Sequence, residues 1–248
     1  MREDSGLEKL FFELASESRL GILQELQKEN LKMQEIARRL DVTATEAFRQ
    51  LERLSAASLV QRQPDGTFAL AEYGKLVLQI STSLDFISKH KEYFSTHDLM
   101  RLPSQFVNRL GELTGAAFEM DTIKNLNFGA QAFAEAKQYA WGIAEGTIPE
   151  HMIPIMNQRV KQGIQMKMLI SKERLPAVGS ISEMPKNMEY SGLSELPAIV
   201  TLTEKVAGIC FMQLGGRIDY AGFFGTDPAF HNWVKDLFLY YWEKAKRV

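Results

Sequence analysis

Arg49 and Gln50 stand side by side in ATEAFRQLERL, a segment whose apolar residues Ala47, Phe48, Leu51 and Leu54 recur at helical spacing. An arginine fork can take O6 and N7 of guanine together, and a glutamine amide pairs in the same two-pronged way with adenine. Adjacent on the outer face of one helix, the two side chains therefore have the chemistry of base reading. Thr45, Glu46 and Arg53 share that side of the helical wheel. Arg53, and Arg38 one helix earlier, sit further back and suit phosphate oxygens, which fix register without carrying sequence. Arg62 lies at the foot of a following hairpin, where a flanking phosphate would pass. Thr43-Ala44-Thr45-Glu46 is a capping box: the Thr43 hydroxyl accepts from the Glu46 amide while Glu46 reaches back to Thr43.

The elements that must hold these residues are legible on either side. LKMQEIARRL reads as a short helix with Ile36, Ala37 and Leu40 on one face, and DVT as the turn into the second helix. SLVQRQPDGTFAL reads as two short strands around Asp65-Gly66, a dipeptide that favours tight hairpins. Two helices precede them, one over residues 7–14 and one after Ser16, a candidate N-cap, with Leu20, Leu23 and Leu26 in phase. Together these make a winged helix-turn-helix, which presents one helix to a DNA major groove. Its wing, QPDG, has no positive tip for the minor groove.

From Glu72 to Lys89, EYGKLVLQISTSLDFISK repeats apolar residues at Leu76, Val77, Ile80, Leu84 and Ile87, an amphipathic helix. It is expected to link two domains and to pack against a partner's copy of itself. Beyond it, NFGAQAFAEAKQ reads as helix, YAWGIA as strand, PEHMIPIMNQRVKQG as helix and IQMKMLIS as strand. This alternation predicts a parallel or mixed sheet covered by helices. LPAVGSISEMPKNMEYSGLSEL reads as a long connection, and PAIVTLT, KVAGICFMQL and GRIDYAGFF as further strands. A last helix opens at the N-cap Asp227 with Pro228 in its first position. It carries Phe230, Trp233, Val234, Leu237, Phe238 and Tyr241 as one stripe. The fold class expected is α+β multidomain: a winged helix-turn-helix over residues 1–71, a linker or dimerisation helix over 72–93, and an α/β sensor domain over 94–248.

Composition limits the remaining choices. The chain has 29 Lys+Arg against 31 Asp+Glu, so no overall charge draws it to nucleic acid. DNA affinity would have to come from the local face, where Lys32, Arg38, Arg39, Arg49, Arg53 and Arg62 outnumber Glu35, Asp41, Glu46 and Glu52. Cys210 is the single cysteine, which rules out an intrachain disulfide and a cysteine-based zinc site; it reads as a buried strand thiol. No apolar window is long enough to span a membrane and MREDSGLEKL is not a signal peptide, so a cytoplasmic protein is expected.

The second domain shows no catalytic constellation. His90, His97, His151 and His231 have no metal-ligand spacing and none is followed two residues later by Lys. His97-Asp98 reads as a helix cap rather than a base–carboxylate pair, and GGRIDYAG lacks phosphate-loop spacing. Asp219 and Tyr220, with Trp141 and Tyr190 as apolar walls, are the candidate ligand-binding residues, since pockets combine aromatics with a few polar groups. Met152, Met156, Met166 and Met168 cluster as packing residues. No catalytic residue, metal or cofactor is expected.

LASESRLGILQEL followed by the helix-turn-helix resembles the ArsR-like winged-helix regulators, without the metal-binding cysteines some of them carry. AEYGKLVLQISTSLDFISKHKEYFSTHDL, RLPSQFVNRLGEL and GGRIDYAGFFGTDPAFHNWVKDLFLYYWEKA resemble archaeal regulators of the FilR1 (methanogenesis regulatory protein-like) type over nearly the full length. That resemblance implies an archaeal transcription factor whose later domain senses a small molecule. The order of elements over residues 120–248 is also similar to the phospholipase D-like sensor domain of archaeal sugar regulators, without the paired H-x-K motifs of phosphodiester chemistry. The function expected is therefore a non-enzymatic, homodimeric transcription regulator on a double-stranded DNA operator, modulated by an effector. The alternatives are a phospholipase D-like phosphodiesterase tethered to DNA and a ligand-independent architectural DNA binder.

Overall fold

The computed structural model describes residues 6–145, 152–174 and 187–247; His151 lies outside them. The chain divides into two compact units, Met1–Ser81 and Thr82–Val248.

The first unit follows its sequence signals closely. Helix α1 (Gly6–Leu14) leads to α2 (Glu17–Lys28), where the Ser16 side chain accepts from the Arg19 amide. Then come α3 (Met33–Arg39) and α4 (Ala44–Ala56), with Asp41 at φ 52° in the turn between them. Asp is one of the few non-glycine residues that accept this conformation, because its short polar side chain bonds locally. Strands β1 (Val60–Arg62) and β2 (Phe68–Leu70) pair antiparallel from Val60↔Leu70 to Arg62↔Phe68. The loop thus spans five residues rather than two, and Gly66 takes φ +81° within it. Asp65 Oδ1 closes the loop by accepting from Thr67 N at 3.0 Å. Leu31 adds a bridge to Phe68. Ile22, Leu23, Leu26, Ile36, Leu51, Leu54, Leu59 and Phe68 form the core.

Helix α5 (Glu72–Lys89) has the bounds its sequence predicts. Val77 and Leu78 are buried in the first unit's core, and Gly74 lets the helix touch the β1 entry, since a Cβ there would lie 2.0 Å from Leu59 O. Phe86 belongs to the core of the second unit, which therefore begins inside the segment read as a linker. Tyr73, Leu76, Ile80 and Leu84 lie exposed along α5.

The second unit is a mixed eight-stranded sheet among the described residues. Short helices α6 (Lys91–Phe94) and α7 (Ser104–Val107) and a 3-10 turn (Leu110–Gly115) precede β3 (Ala117–Glu119) and α8 (Thr122–Glu135). Next are β4 (Tyr139–Ile143), α9 (Met152–Lys161), β5 (Gln165–Ser171) and β6 (Met188–Leu193). The remainder is β7 (Ala198–Thr203), β8 (Ala207–Phe211), β9 (Gly222–Gly225), α10 (Pro228–Lys244) and β10 (Lys246–Arg247). The spatial order is β10-β6-β5-β4-β7-β8-β9-β3. Only β4–β5 and β5–β6 are parallel, β4 and β5 being joined through α9 as a strand–helix–strand crossover requires; hairpin connections make β7, β8 and β9 antiparallel. Strands β3, β6 and β10 add to those the sequence predicts, β6 lying in the segment that reads as a connection.

Alternation along the strands separates two cores. Ala198, Val200 and Leu202 of β7 and Ile209 and Phe211 of β8 pack with Trp233, Val234, Leu237 and Phe238 of α10. Met166, Met168 and Ile170 of β5 pack with Phe133 of α8 and Met156 and Val160 of α9. α10 starts as read, with Asp227 Oδ1 accepting from Ala229 N and Phe230 N and Pro228 in its first turn. No helix among the described residues is long and apolar enough to cross a membrane.

Candidate nucleic-acid interface and ligand cavity

The cap of α4 is half of the box its sequence suggests. Thr43 Oγ1 accepts from Glu46 N at 3.1 Å, but the Glu46 carboxylate does not return to Thr43; it bonds forward to Arg49 and Gln50. Ala47, Gln50, Leu51 and Leu54 are buried, so the outward side of α4 consists of Thr45, Phe48, Arg49 and Glu52. Arg49 keeps 69% of its side chain exposed while paired with Glu46 on the same helix.

Two residues differ from their expected roles. Gln50 is only 6% exposed: its Oε1 accepts from Arg19 Nη1 at 3.1 Å. That guanidinium, buried on α2, also donates to Glu13 O and Phe12 O, at 2.8 and 2.7 Å. A buried cation needs acceptors on every side, and Gln50 supplies one from α4, which removes it from base reading. Phe48, assigned to the apolar side, is 52% exposed because it sits about 100° around the helix from Ala47. Phenylalanine on such a face suits the thymine methyl group.

The basic residues divide likewise. Arg53 pairs with Glu13 at 2.8 Å and lies over the Phe12 ring at 5.2 Å, which ties it to α1 rather than to an approaching phosphate. Arg39 bonds Glu25, Glu29 and Glu35. Hydrogen bonds from Arg38 and Arg39 hold Glu35 down at about 2. Arg38 nevertheless remains 73% exposed, and Arg62 is exposed on β1.

In the second unit, a cavity of about 280 Å³ lies on the α8/α9 side of the sheet. Leu126, Phe133, Met156, Met168, Ile199 and Phe224 give it apolar walls. Its polar groups are Asn125, Glu145, Thr201, Cys210 and Tyr220. Asn125 is buried and spends its amide N–H groups on Glu119 O and Tyr220 O, at 3.0 and 2.6 Å. The Cys210 thiol donates to Tyr220 O at 3.2 Å, and burial pushes its pKa well up. Burial, then Glu145, then Cys210 raise the Tyr220 phenol. Tyr220 holds φ 60°, a conformation costly for a bulky side chain, fixed here by the bonds to its carbonyl.

The four residues expected to bind a ligand do not converge. Only Tyr220 lines the cavity. Trp141 is on the α10 side, stacked on Phe238 at 5.3 Å with Lys167 over its ring. Tyr190 packs among the α9-side core residues, where burial raises its phenol to about 12. Asp219 accepts from Ala221 N at 3.0 Å and Gln213 Nε2 at 2.9 Å, and its Oδ1 lies 3.3 Å from His97 Nε2. Asp98 acts as a cap, its Oδ1 accepting from Met100 N, but of a turn rather than of the helix expected there. His231 Nε2 meets Thr203 O at 2.7 Å, and His90 sits in an aromatic cluster with Phe86 and Phe223. Among the described residues no group of three acidic, cysteine or histidine side chains could hold a metal. Nothing in the sequence marks Asn125, Glu145 or Thr201; the alternation of β7 and β8, which puts Thr201 and Cys210 on the face opposite Trp141, is the available signal.

Residues 7–89 match a family model described as the HVO_A0261 N-terminal domain, a span that starts in α1 and ends with α5. No curated protein matches the chain in sequence. Among solved structures it is similar to TrmBL2, described as an archaeal chromatin protein with a novel mode of DNA binding. That likeness covers 93% of each chain at 14% identity and a TM-score of 0.46. NucT from Helicobacter pylori is matched over 54% of this chain and 98% of its own, at 11% identity and a TM-score of 0.43. The S-adenosylmethionine-dependent methyltransferase SibL is matched over 79% and 68%, at 14% identity and a TM-score of 0.30.

Proposed function

We propose that the protein is a sequence-specific regulator of transcription that binds double-stranded DNA as a homodimer and answers to a small molecule held in its second unit. One observation carries the DNA reading: α4 is fixed from behind by Gln50, Arg19 and the core, while Thr45, Phe48 and Arg49 stand out together. A rigid helix with a donor fork and an apolar contact on its free face has what major-groove reading requires. Arg38, Thr43 and Arg62 are the flanking phosphate contacts in this reading. The winged-helix architecture of the first unit and the resemblance to archaeal FilR1-type and ArsR-like regulators support it. The phospholipase D-like resemblance of the second unit enters as architecture only, and the unit acts as a sensor rather than an enzyme.

Homodimerisation is supported by the exposed stripe Tyr73, Leu76, Ile80 and Leu84 on α5, which a second copy of that helix would cover. Two α4 helices about 34 Å apart would then enter successive major grooves of a pseudo-palindromic site.

The test is selection from a random duplex library, followed by fluorescence anisotropy on the enriched site. Arg49→Ala is expected to lose about 1–3 kcal/mol on that site and to level its preference at one base pair. Arg38→Ala should weaken every duplex equally and reduce the salt slope by about one. Enrichment of no sequence, or an Arg49→Ala protein that reads the site unchanged, refutes the proposal.

A further inference from the structure

The cavity between α8, α9 and the sheet has a polar side of unusual sign. Among the described residues its lining includes no lysine, arginine or histidine, yet Glu145 contributes a carboxylate. Asn125 adds an acceptor: both of its N–H bonds go to backbone carbonyls, and its Oδ1 has no donor among the described residues. Oδ1 is not among the fully enclosed unpaired atoms, and Asn125 lines the cavity. The Thr201 and Tyr220 hydroxyls accept or donate. The Cys210 thiol is committed to Tyr220 O. The remainder of the wall is hydrocarbon, aromatic ring and thioether.

Glycines keep the space open. A Cβ on Gly208 would come within 2.6 Å of the Phe224 ring, and one on Gly129 would meet Thr201 Oγ1 at 3.3 Å and point its side chain into the void. At about 280 Å³ the cavity is close to the lower end of small-molecule sites.

We propose that this cavity binds a small apolar amine, protonated at neutral pH, with its ammonium group between Glu145 and Asn125 Oδ1 and its hydrocarbon against Phe133, Met156 and Met168. An ammonium group offers three donors and no acceptor, matching a site that offers two unspent acceptors and a negative charge. A carboxylate or phosphate ligand would place like charge against Glu145 with no cation among the described lining residues to offset it. The proposal deepens the effector reading by naming the ligand class, and rests on it only for its regulatory meaning. Occupancy is measured without DNA.

All three tryptophans lie in the second unit, so their fluorescence reports its melting. The full chain is melted with phenethylamine, 2-phenylethanol or phenylacetate, and with linear amines of three to ten carbons. The amines are expected to raise Tm and phenylacetate to leave it unchanged. Glu145→Gln should cut phenethylamine affinity about tenfold while changing 2-phenylethanol little, as loss of a charge-assisted contact does. Gly129→Leu should abolish both responses; Glu145→Gln, a change at an exposed residue, keeps the test valid if that variant folds poorly. Stabilisation by phenylacetate equal to that by phenethylamine overturns the proposal. So does a Glu145→Gln protein that keeps full preference for the amine, or a wild type that answers no amine. A positive result with no selected DNA site would sink the operator reading and leave the ligand assignment standing.

Discussion

Gln50 and Arg49 are neighbours in sequence with opposite duties, and exchanging each should separate stability from recognition. Gln50→Leu keeps most of the side-chain bulk and removes the acceptor of Arg19 Nη1. The other guanidinium bonds, to Glu13 O and Phe12 O, remain, and so does the Glu13 carboxylate. That carboxylate's Oε2 lies 2.9 Å from Arg19 Nε yet has no hydrogen bond, because the N–H in question is spent on Glu13 O. The ion pair therefore cannot take over for the lost amide. The hydrogen bond to the buried charged group is worth about 1.5–3 kcal/mol and sets the main cost, with the bond from Gln50 Nε2 to the part-exposed Glu46 carboxylate lost beside it. For a unit of this size that lowers Tm by roughly 6–24 °C. Arg49→Ala, by contrast, removes an exposed side chain paired with Glu46 and should stay within about 0.5 kcal/mol. Hydrogen exchange of α2 and α4 peptides measures the first unit, with tryptophan fluorescence as the internal control for the second. Lost protection with intact DNA affinity at low temperature is expected for Gln50→Leu, and the reverse for Arg49→Ala. Unchanged protection in Gln50→Leu together with lost DNA binding would mean that Gln50 faces outward and that the reasoning fails.

Other consequences are as direct. Glu35 titrates at about 2 when folded, below its ordinary 4.5. Its contribution is thus full above about 4.5 and is lost as pH falls toward 2. Acid melting of the first unit should follow that window, and Arg39→Gln should flatten it; an unaltered profile would exclude the network. The Cys210 thiol, buried and with its pKa pushed up, should resist alkylation at pH 8 and react at once in denaturant, measured by mass shift; rapid native labelling would contradict its placement. Trp233 is fully buried, donates from its ring to Phe106 O at 3.2 Å and meets the Phe106 ring edge-on. Trp233→Ala should cost about 3–5 kcal/mol in urea unfolding; a loss below about 1 kcal/mol would place it at the surface.

What the sequence discloses is what local chemistry decides. Thr43, Ser16 and Asp227 start their helices where side-chain acceptors precede apolar periodicity. Helix α5 has the predicted ends, and β4, β5, β7 and β8 fall within the apolar runs. What escapes depends on partners far along the chain. Gln50 is held inward by a residue 31 positions away. β6 becomes a strand by pairing with β5, Met168↔Tyr190 among other contacts, although its own residues look like a connection. GRIDYAGFF yields a strand only from Gly222, since Asp219 caps the turn and Tyr220 leaves the extended region. Residue type alone groups Trp141 with Tyr220 as ligand contacts, whereas strand parity along β4 and β7 sets Trp141 and Thr201 on opposite faces of the sheet.

The position of Trp242 in the second core also bears on the order in which the protein is made. The first unit's contacts close within Met1–Ser81, whereas the α10-side core needs Trp233, Phe238 and Trp242 against strands begun at Tyr139. A ribosome adding about 5–20 residues per second supplies the intervening stretch in roughly 8–32 s. During that interval the nascent chain carries a finished α4 while its second sheet lacks the helix that covers one face. The face left bare, with Val200, Leu202, Ile209, Phe211 and Phe223, is the surface most exposed to aggregation and to chaperone capture. Synthesis rate should therefore govern the yield of the second unit and leave that of the first untouched.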